Sequence, residues 1–260
     1  GLFSSDWSKL KDLTLLKPEV LVLNLETENY ALPEFVENDD ELKVLIITNF
    51  GFVHAEITNF QLLISFPNLK RIRLERIAIY SLIEKLKQAQ LRNLQKISLF
   101  MCKFNRAFSD SAIKLSDIFP NLVEINIDYC DDLVELPAGL CDIVSLKKLS
   151  ITHCHKLSKL PEEIGNLVNL EVLRLRSCID LIELPDSICK LYNLTFLDIS
   201  DCFSLRKLPE DIGKLCSLKT LNTRSLICDE ELKELWDLCF PDSTGITLRL
   251  VKEDINLNWL

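Results

Sequence analysis

The amino-acid sequence predicts an α/β solenoid, in which each coil adds one strand to a curved parallel β-sheet on the concave face and one short turn to the convex side. Five leucines recur every 24 residues, at Leu122, Leu146, Leu170, Leu194 and Leu218. The first four open a run of the form apolar-x-x-apolar-x-apolar-x-x-Cys, which ends at Cys130, Cys154, Cys178 and Cys202. A Leu-Pro pair follows each run, with the prolines at Pro137, Pro161, Pro185 and Pro209. This spacing is the sequence signature of a leucine-rich repeat.

Residues 1–17 are predicted to form a lead-in that covers the open apolar end of the first coil, because a terminal repeat exposes a face that inner repeats bury. Residues 18–228 are predicted to contain about nine leucine-rich repeat coils. The first four coils are expected to begin at Val20, Leu42, Leu69 and Leu94, and Val20 is therefore assigned to an inward position. Their steps of 22, 27, 25 and 28 residues are irregular, and the regular period starts at residue 122.

The regular coils are predicted to carry a short helical or 3₁₀ turn directly after each repeat proline, since proline fixes the φ angle that a helix start requires. The longer early coils space apolar residues three or four apart over residues 57–66, 80–90 and 109–119. This spacing predicts short amphipathic helices on the convex side. Residues 229–260 are predicted to form a C-terminal cap, with a helix over 229–239, an edge strand over 246–251 and a tail.

The repeat cysteines, together with Cys102 in the fourth coil, are expected to point into the solenoid. A thiol in this position can donate a weak hydrogen bond to a backbone carbonyl of the neighbouring coil. A row of five cysteines leaves one without a disulfide partner. Reduced thiols are therefore predicted, and with them the cytosol or the nucleus as the compartment.

The composition argues against several classes of function. A net charge of −9 and an isoelectric point near 5.0 disfavour binding to nucleic acid or anionic lipid, since both require a basic face. No apolar run approaches the roughly 20 residues of a membrane span, and no glycine-rich phosphate loop occurs. We expect no cofactor, no nucleic acid and no direct membrane contact in this domain, and no enzymatic activity.

Two short motifs resemble sites but are interpreted as structure. His153, Cys154 and His155 look like metal ligands, yet the repeat directs Cys154 inward and should make the flanking histidines diverge from it. A closed zinc site is therefore not predicted. Asn193 opens a glycosylation sequon, but the next residue is the repeat position Leu194, which is expected to be buried, so glycosylation is not predicted.

Partner contacts are predicted on the concave face, where every second strand residue points outward. Aromatic residues and arginine dominate protein interfaces. Among the outward residues of these two types, with a tryptophan at the C-terminal end, the candidate partner contacts are Arg73, Phe100, Arg174, Arg176, Phe196 and Trp259. The competing interpretation is that single exposed apolar residues are ordinary on a protein surface.

The phrase LPxxIxxLxxLxxLxIxxC resembles the cytosolic leucine-rich repeats of plant nucleotide-binding immune receptors (NLRs). The segments PEVLVLNL, ALPEFV, IFPNLVEINIDYCDDLVELPAGLC, LRLRSC, LDISDC and EDINLNWL are similar to the C-terminal domain of the helper class. Helper NLRs are coiled-coil receptors whose N-terminal domain resembles a powdery-mildew resistance protein. The resemblance implies a missing upstream nucleotide-binding domain that holds ADP or ATP.

The resemblance further implies a protein-interaction and autoinhibitory domain in plant innate immunity and the hypersensitive response. Its expected partners are an activated lipase-like immune signalling heterodimer and the receptor's own nucleotide-binding domain. The expected location is the cytoplasm or nucleus, with the full-length receptor at the plasma membrane when activated. Two alternatives are a sensor NLR that binds a pathogen effector directly and a scaffold like the Ras-binding signalling adaptors.

Overall fold

A computed structural model describes residues 2–3, 18–32, 40–79, 86, 90–104, 114–223 and 247–250 of the 260-residue chain. The strands are β1 (Leu2–Phe3), β2 (Val20–Leu25), β3 (Asn29–Tyr30), β4 (Val44–Asn49), β5 (Glu56–Ile57), β6 (Arg71–Glu75), β7 (Lys96–Phe100), β8 (Glu124–Asp128), β9 (Lys148–Thr152), β10 (Val172–Arg174), β11 (Phe196–Asp198), β12 (Thr220–Thr223) and β13 (Thr247–Leu250).

Eleven of these strands form one parallel sheet whose spatial order follows the chain, β1-β2-β4-β6-β7-β8-β9-β10-β11-β12-β13. Each strand pairs in register with the same strand of the next coil, so that Lys148, Val172, Phe196 and Thr220 form one row across β9 to β12. We number the coils 1 to 9 by the strands β2, β4, β6, β7, β8, β9, β10, β11 and β12. The predicted leucine-rich repeat solenoid is confirmed.

The regular coils carry 3₁₀ turns at the predicted places, over Ala138–Asp142, Glu162–Asn166, Asp186–Lys190 and Glu210–Lys214. The repeat proline lies one residue before each turn and has an extended backbone, as at Pro161 with φ −68° and ψ 148°. Its carbonyl accepts the first turn hydrogen bond, from the Ile164 amide at 3.0 Å. Proline therefore sets the entry direction of the turn without losing a hydrogen bond.

The inserts of the early coils are less helical than predicted. Residues 57–66 were expected to form one amphipathic helix, but the segment starts as β5, which pairs with β3, and continues as a 3₁₀ helix over Phe60–Ser65. The Asn59 side chain ends the strand pairing, because it bonds both the amide and the carbonyl of Leu32, at 2.6 and 2.9 Å. Of the 109–119 insert, the described part contains one α-helical turn, α1 (Leu115–Ile118).

Most of the 80–90 insert, the 229–239 helix and the tail lie outside the described residues. The strand β13 falls within the predicted edge segment 246–251 and pairs in parallel with β12. In the described part of the chain, no helix is long and apolar enough to cross a membrane.

The first coil begins two residues earlier than the leucine spacing predicts. Val20 pairs with Val44, which is the second residue after Leu42, so Pro18 occupies the position of a repeat leucine. The Glu19 carbonyl accepts the amides of Lys43 and Val44, as the residue after the repeat leucine does in other coils. Val20 consequently points outward and is 52% exposed, which corrects its inward assignment.

The core is a continuous column of leucine and isoleucine, in which the strand residues Leu149, Ile151, Leu173 and Leu197 are fully buried. Each coil closes its core against the coil on either side, and the ends of the strands then turn away from the sheet. At that turn, one residue in each of six coils adopts the left-handed conformation, with φ between 49° and 61°. These residues are Arg76, Met101, Tyr129, His153, Ser177 and Asp201.

The left-handed residue directs the next residue into the core, and in five coils that residue is the repeat cysteine. Each thiol donates a hydrogen bond to a carbonyl of the preceding coil, with sulfur–oxygen distances between 2.9 Å, in Cys202 to Leu175, and 4.0 Å, in Cys130 to Leu99. The other three are Cys102 to Leu74, Cys154 to Ile127 and Cys178 to Ile151. The predicted thiol hydrogen bonds are confirmed, and the eight described cysteines are free thiols.

A second ladder, which was not predicted from the sequence, lies just before the repeat leucines. Asparagine side chains there donate to a carbonyl of the preceding coil at 2.6–2.8 Å; the donors are Asn68, Asn93, Asn121, Asn169 and Asn193. The recurring Asn-Leu pair is the signal that could have revealed it. Asn193, the first residue of the sequon, is thus a structural link between coils.

Ser177 tests the left-handed turn. A non-glycine residue in the left-handed conformation costs roughly 1–2 kcal/mol. Glycine avoids this cost, but the greater entropy of its unfolded chain offsets part of the gain. We expect Ser177→Gly to raise the free energy of unfolding by up to about 1 kcal/mol and Ser177→Val to lower it by about 1–3 kcal/mol in urea titrations. Ser150, in the middle of β9, is the control. At Ser150 the valine variant should be more stable than the glycine variant, because a strand favours valine over glycine. A more stable glycine variant at both sites would contradict the left-handed conformation of Ser177.

Cysteine alkylation tests the buried ladder. Burial raises the pKa of Cys102 and of Cys202 to about 12, and only the thiolate reacts. Iodoacetamide should therefore label both slowly in the native chain even near pH 10, whereas exposed Cys216 is labelled readily. Peptide mass spectrometry would read out each site, with circular dichroism confirming the fold. The raised pKa values also make the free energy of unfolding fall as the pH rises from about 9 towards 12, because the unfolded thiols ionise in that range while the buried thiols stay protonated. Native labelling of Cys202 as fast as Cys216 would refute the ladder.

Candidate protein-interaction surface

The outward side chains form rows that cross the coils on the concave face. The first row is Val20, Val44, Arg71, Lys96, Glu124, Lys148, Val172, Phe196 and Thr220. The second row is Val22, Ile46, Arg73, Ser98, Asn126, Ser150, Arg174, Asp198 and Asn222. Neighbours within a row are about 4.8 Å apart, so charges on adjacent coils interact directly.

Three of the predicted partner-binding residues lie together in coils 7 and 8. The Arg174 guanidinium lies over the Phe196 ring, 5.2 Å from its centroid, and its Nε is 3.7 Å from Asp198 Oδ2. Arg176 Nε lies 3.6 Å from Asp201 Oδ2. The side chains of Arg174 and Arg176 remain 42% and 51% exposed, so both cations are oriented by neighbours and still face solvent. We call Arg174, Arg176 and Phe196 the C-terminal cluster.

Asp198 orients Arg174 of this cluster although it lies in the outward row, where the strand alternation predicts an exposed side chain. Only 9% of its side chain is exposed. Its Oδ1 accepts the Ser200 amide at 3.1 Å, and its Oδ2 accepts the Asn222 side chain at 3.5 Å. A carboxylate held by donors on two coils and faced by Arg174 is compensated in its buried position.

Arg73 and Phe100 lie apart from the C-terminal cluster, on β6 and β7. Arg73 is 53% exposed on its side chain, and its Nη2 lies 3.5 Å from Glu75 Oε2. Phe100 contacts Tyr129 edge to face, with ring centroids 5.6 Å apart. The structure therefore divides the described predicted residues into two groups on one face. Trp259 lies outside the described residues.

An aromatic stack that the sequence pattern does not reveal lies at the edge of the concave face. The rings of Tyr129 and His153 are parallel within 2° and 4.3 Å apart. Asp128 fixes this stack, since its Oδ1 accepts the Thr152 hydroxyl at 2.6 Å and lies 3.0 Å from His153 Nδ1. Both stacked residues occupy the left-handed position, which brings their rings to the same edge, one coil apart.

The motif around Cys154 is not assembled as a metal site. Cys154 is buried and bonds the Ile127 carbonyl, His153 faces Asp128, and His155 Nδ1 lies 3.8 Å from Asp131 Oδ1. Among the described residues, no group of three or more His, Cys, Asp or Glu side chains is placed to hold a metal ion.

Inward leucines, one parallel strand per coil and a varied concave face define a repeat protein of the protein-interaction type. Residues 107–239, just over half of the chain, match the family described as leucine-rich repeat region. The chain belongs to this family.

Similar proteins include plant disease resistance proteins of Arabidopsis thaliana. "Probable disease resistance protein At5g66900" is 49% identical over 149 residues, which is 57% of this chain and 18% of that protein. "Disease resistance protein ADR1" is 37% identical over 156 residues, 60% of this chain and 19% of that protein. The match thus spans about a fifth of the length of these relatives. The leucine-rich repeat domain of the type III effector XopL shares the fold, with a TM-score of 0.56, 19% identity and coverage of 84% of this chain and 81% of that one.

Asp198 is the residue to change in order to test how the C-terminal cluster is held. Asp198→Ala leaves the Ser200 amide without its acceptor, and a buried unpaired group costs about 1–3 kcal/mol. We expect the free energy of unfolding in urea to fall by that amount. Asp211→Ala is the control, because this carboxylate pairs with Lys214 at the surface, where an ion pair contributes about 0–1 kcal/mol. Equal losses in the two variants would show that Asp198 does not hold the cluster.

Proposed function

We propose that this chain is the protein-interaction and regulatory domain of a helper NLR in plant innate immunity, without enzymatic activity of its own. The observation that carries the proposal is the C-terminal cluster on the concave face of a repeat domain related to plant disease resistance proteins. The proposed partner is an activated lipase-like immune signalling heterodimer. The alternative partner is a pathogen effector, which would make the receptor a sensor.

The chemistry of the C-terminal cluster supports a protein partner. Phe196 and Arg174 are already in contact in the free chain, so binding does not have to order them. Arg174 and Arg176 present guanidinium groups that match carboxylates with two parallel hydrogen bonds. A partner surface with acidic residues around an apolar centre complements this cluster.

The remaining parts of the proposal concern the whole receptor. The repeat domain would restrain the receptor's own upstream nucleotide-binding domain, which would hold ADP or ATP, until the partner binds. We place the resting receptor in the cytoplasm or nucleus and the activated receptor at the plasma membrane. Contact with the membrane or nucleic acid is not assigned to this domain, because its net charge of −9 repels anionic surfaces.

A binding measurement with purified components tests the proposal. The 260-residue chain is titrated with the lipase-like heterodimer of the same plant, in the wild-type form and as the Arg176→Glu/Phe196→Ala variant. Arg174 is left unchanged, because a carboxylate at that position would repel buried Asp198. We expect the Kd to rise about tenfold or more, with little change in Tm, since exposed aromatic and arginine anchors dominate interfaces.

Lys159→Glu provides the control. Lys159 is exposed and pairs with Glu135 at 2.8 Å, outside the two concave rows, and its reversal should leave the Kd unchanged. Absence of binding by the wild-type chain, or an equal loss in the control, would overturn the proposed partner site. Binding of a pathogen effector in place of the heterodimer would establish the sensor alternative.

A further inference from the structure

The corrected register of coil 1 creates an apolar patch on the concave face. In the first row, Val20 pairs with Val44, and Val44 with Arg71. In the second row, Val22 pairs with Ile46, and Ile46 with Arg73. Both rows therefore read aliphatic, aliphatic, arginine across β2, β4 and β6. We call these six residues the N-terminal patch.

The fold does not require aliphatic side chains at these positions. The core side of the same strands is filled by Leu23, Leu45 and Ile47, which are almost completely buried. Val20 and Val22 are 52% and 39% exposed on the opposite face. In coils 4 to 6 the same two rows carry only polar or charged residues, namely Lys96, Ser98, Glu124, Asn126, Lys148 and Ser150.

A strand position favours β-branched residues even when it is exposed, which can explain a single valine. Val172 in coil 7 is such a case, since Lys148 and Phe196 flank it in its row. Four adjacent aliphatic residues on two paired strands instead form a continuous apolar surface, which is typical of an interaction site.

The charge on the coil 3 side of the patch is positive and largely uncompensated. Arg71 has no ion pair among the described residues, and Lys70 beside it is also exposed. Arg73 shares only a 3.5 Å contact with Glu75. On the next strand, Lys96 is neutralised by Glu124 at 2.6 Å, so the uncompensated positive charge nearest the aliphatic residues lies on coil 3. A complementary ligand is therefore apolar over coils 1 and 2 and acidic over coil 3.

The spacing of the rows fits an α-helix that crosses the strands. Adjacent strands are about 4.8 Å apart, and one helical turn rises about 5.4 Å. Side chains one helical turn apart can therefore lie over successive strands, and this match holds across two strand spacings. The two rows are separated by about 6.6 Å along the strands, which is within the roughly 10 Å width of a helix.

We propose that the N-terminal patch binds an amphipathic α-helix of a partner protein, with aliphatic side chains over coils 1 and 2 and Asp or Glu over Arg71 and Arg73. The C-terminal end of the helix lies over coil 3, because that end carries partial negative charge. This inference rests on the proposed role as a protein-interaction domain. It assigns a second interaction surface, which β7, β8 and β9 separate from the C-terminal cluster.

The probe is a fluorescein-labelled helical peptide of about 18 residues, long enough to form a helix in water. The peptide carries two leucines one helical turn apart, and a glutamate one turn further towards its C-terminus. A matched peptide has lysine in place of glutamate. Fluorescence polarisation with the 260-residue chain should give a Kd for the glutamate peptide about tenfold or more below that of the lysine peptide.

Three variants locate the binding site. Val22→Thr/Ile46→Thr keeps the strand propensity and removes apolar surface, and we expect binding to weaken about tenfold. Arg71→Glu/Arg73→Glu should reverse the preference to the lysine peptide. Lys148→Glu, in the same row on coil 6, should leave both affinities unchanged. Each variant is first shown by its Tm to be folded.

Equal binding of both peptides, no binding of either, or failure of the double glutamate variant to reverse the preference would overturn the proposal. So would self-association of the chain in sedimentation experiments that Val22→Thr/Ile46→Thr abolishes, since the patch would then bind a second copy. The Arg176→Glu/Phe196→Ala variant separates the two surfaces. It should bind the glutamate peptide like the wild type, even if the heterodimer proves not to be the partner.

Discussion

A single coil of this chain cannot bury its own leucines, and the rest of the structure follows from that constraint. Leu170 and Leu173 reach full burial only because coils 6 and 8 lie on either side. The main-chain hydrogen bonds have the same nearest-neighbour character, as in the Glu171 amide that donates to the Lys147 carbonyl at 2.8 Å. Inward positions are therefore fixed by stacking, while outward positions are free to vary and can carry recognition.

The recurring polar residues serve stacking as well. Cys202 donates to a carbonyl of the previous coil from inside the column, and Asn193 does so from the end of the turn. A thiol is small enough for the core and can donate a weak hydrogen bond to a carbonyl of the neighbouring coil. Five of the ten cysteines consequently form a structural ladder, and Cys154 in the His-Cys-His sequence is one of them.

The sequence predicts the coils after residue 122 well, because leucine, cysteine and proline each mark a different place in the repeat. It fails in coil 1, where the strand VLVLNL is apolar on both faces and Pro18 stands in place of leucine. It also gives no sign of the left-handed residues, since Tyr129 and His153 are not residue types that favour this conformation strongly enough to be recognised. The Tyr129–His153 stack and the N-terminal patch were missed for these two reasons.

The middle of the concave face separates the two recognition surfaces. Lys96 and Glu124 neutralise each other, and Asp128 is occupied by Thr152 and His153. Between β6 and β10 lie four strand spacings, about 19 Å. One protein interface of standard size covers about 800 Å² on each partner and is wide enough to reach both ends. Two contacts on a single rigid partner would then act together at a high effective concentration, whereas two separate partners would occupy two separate surfaces.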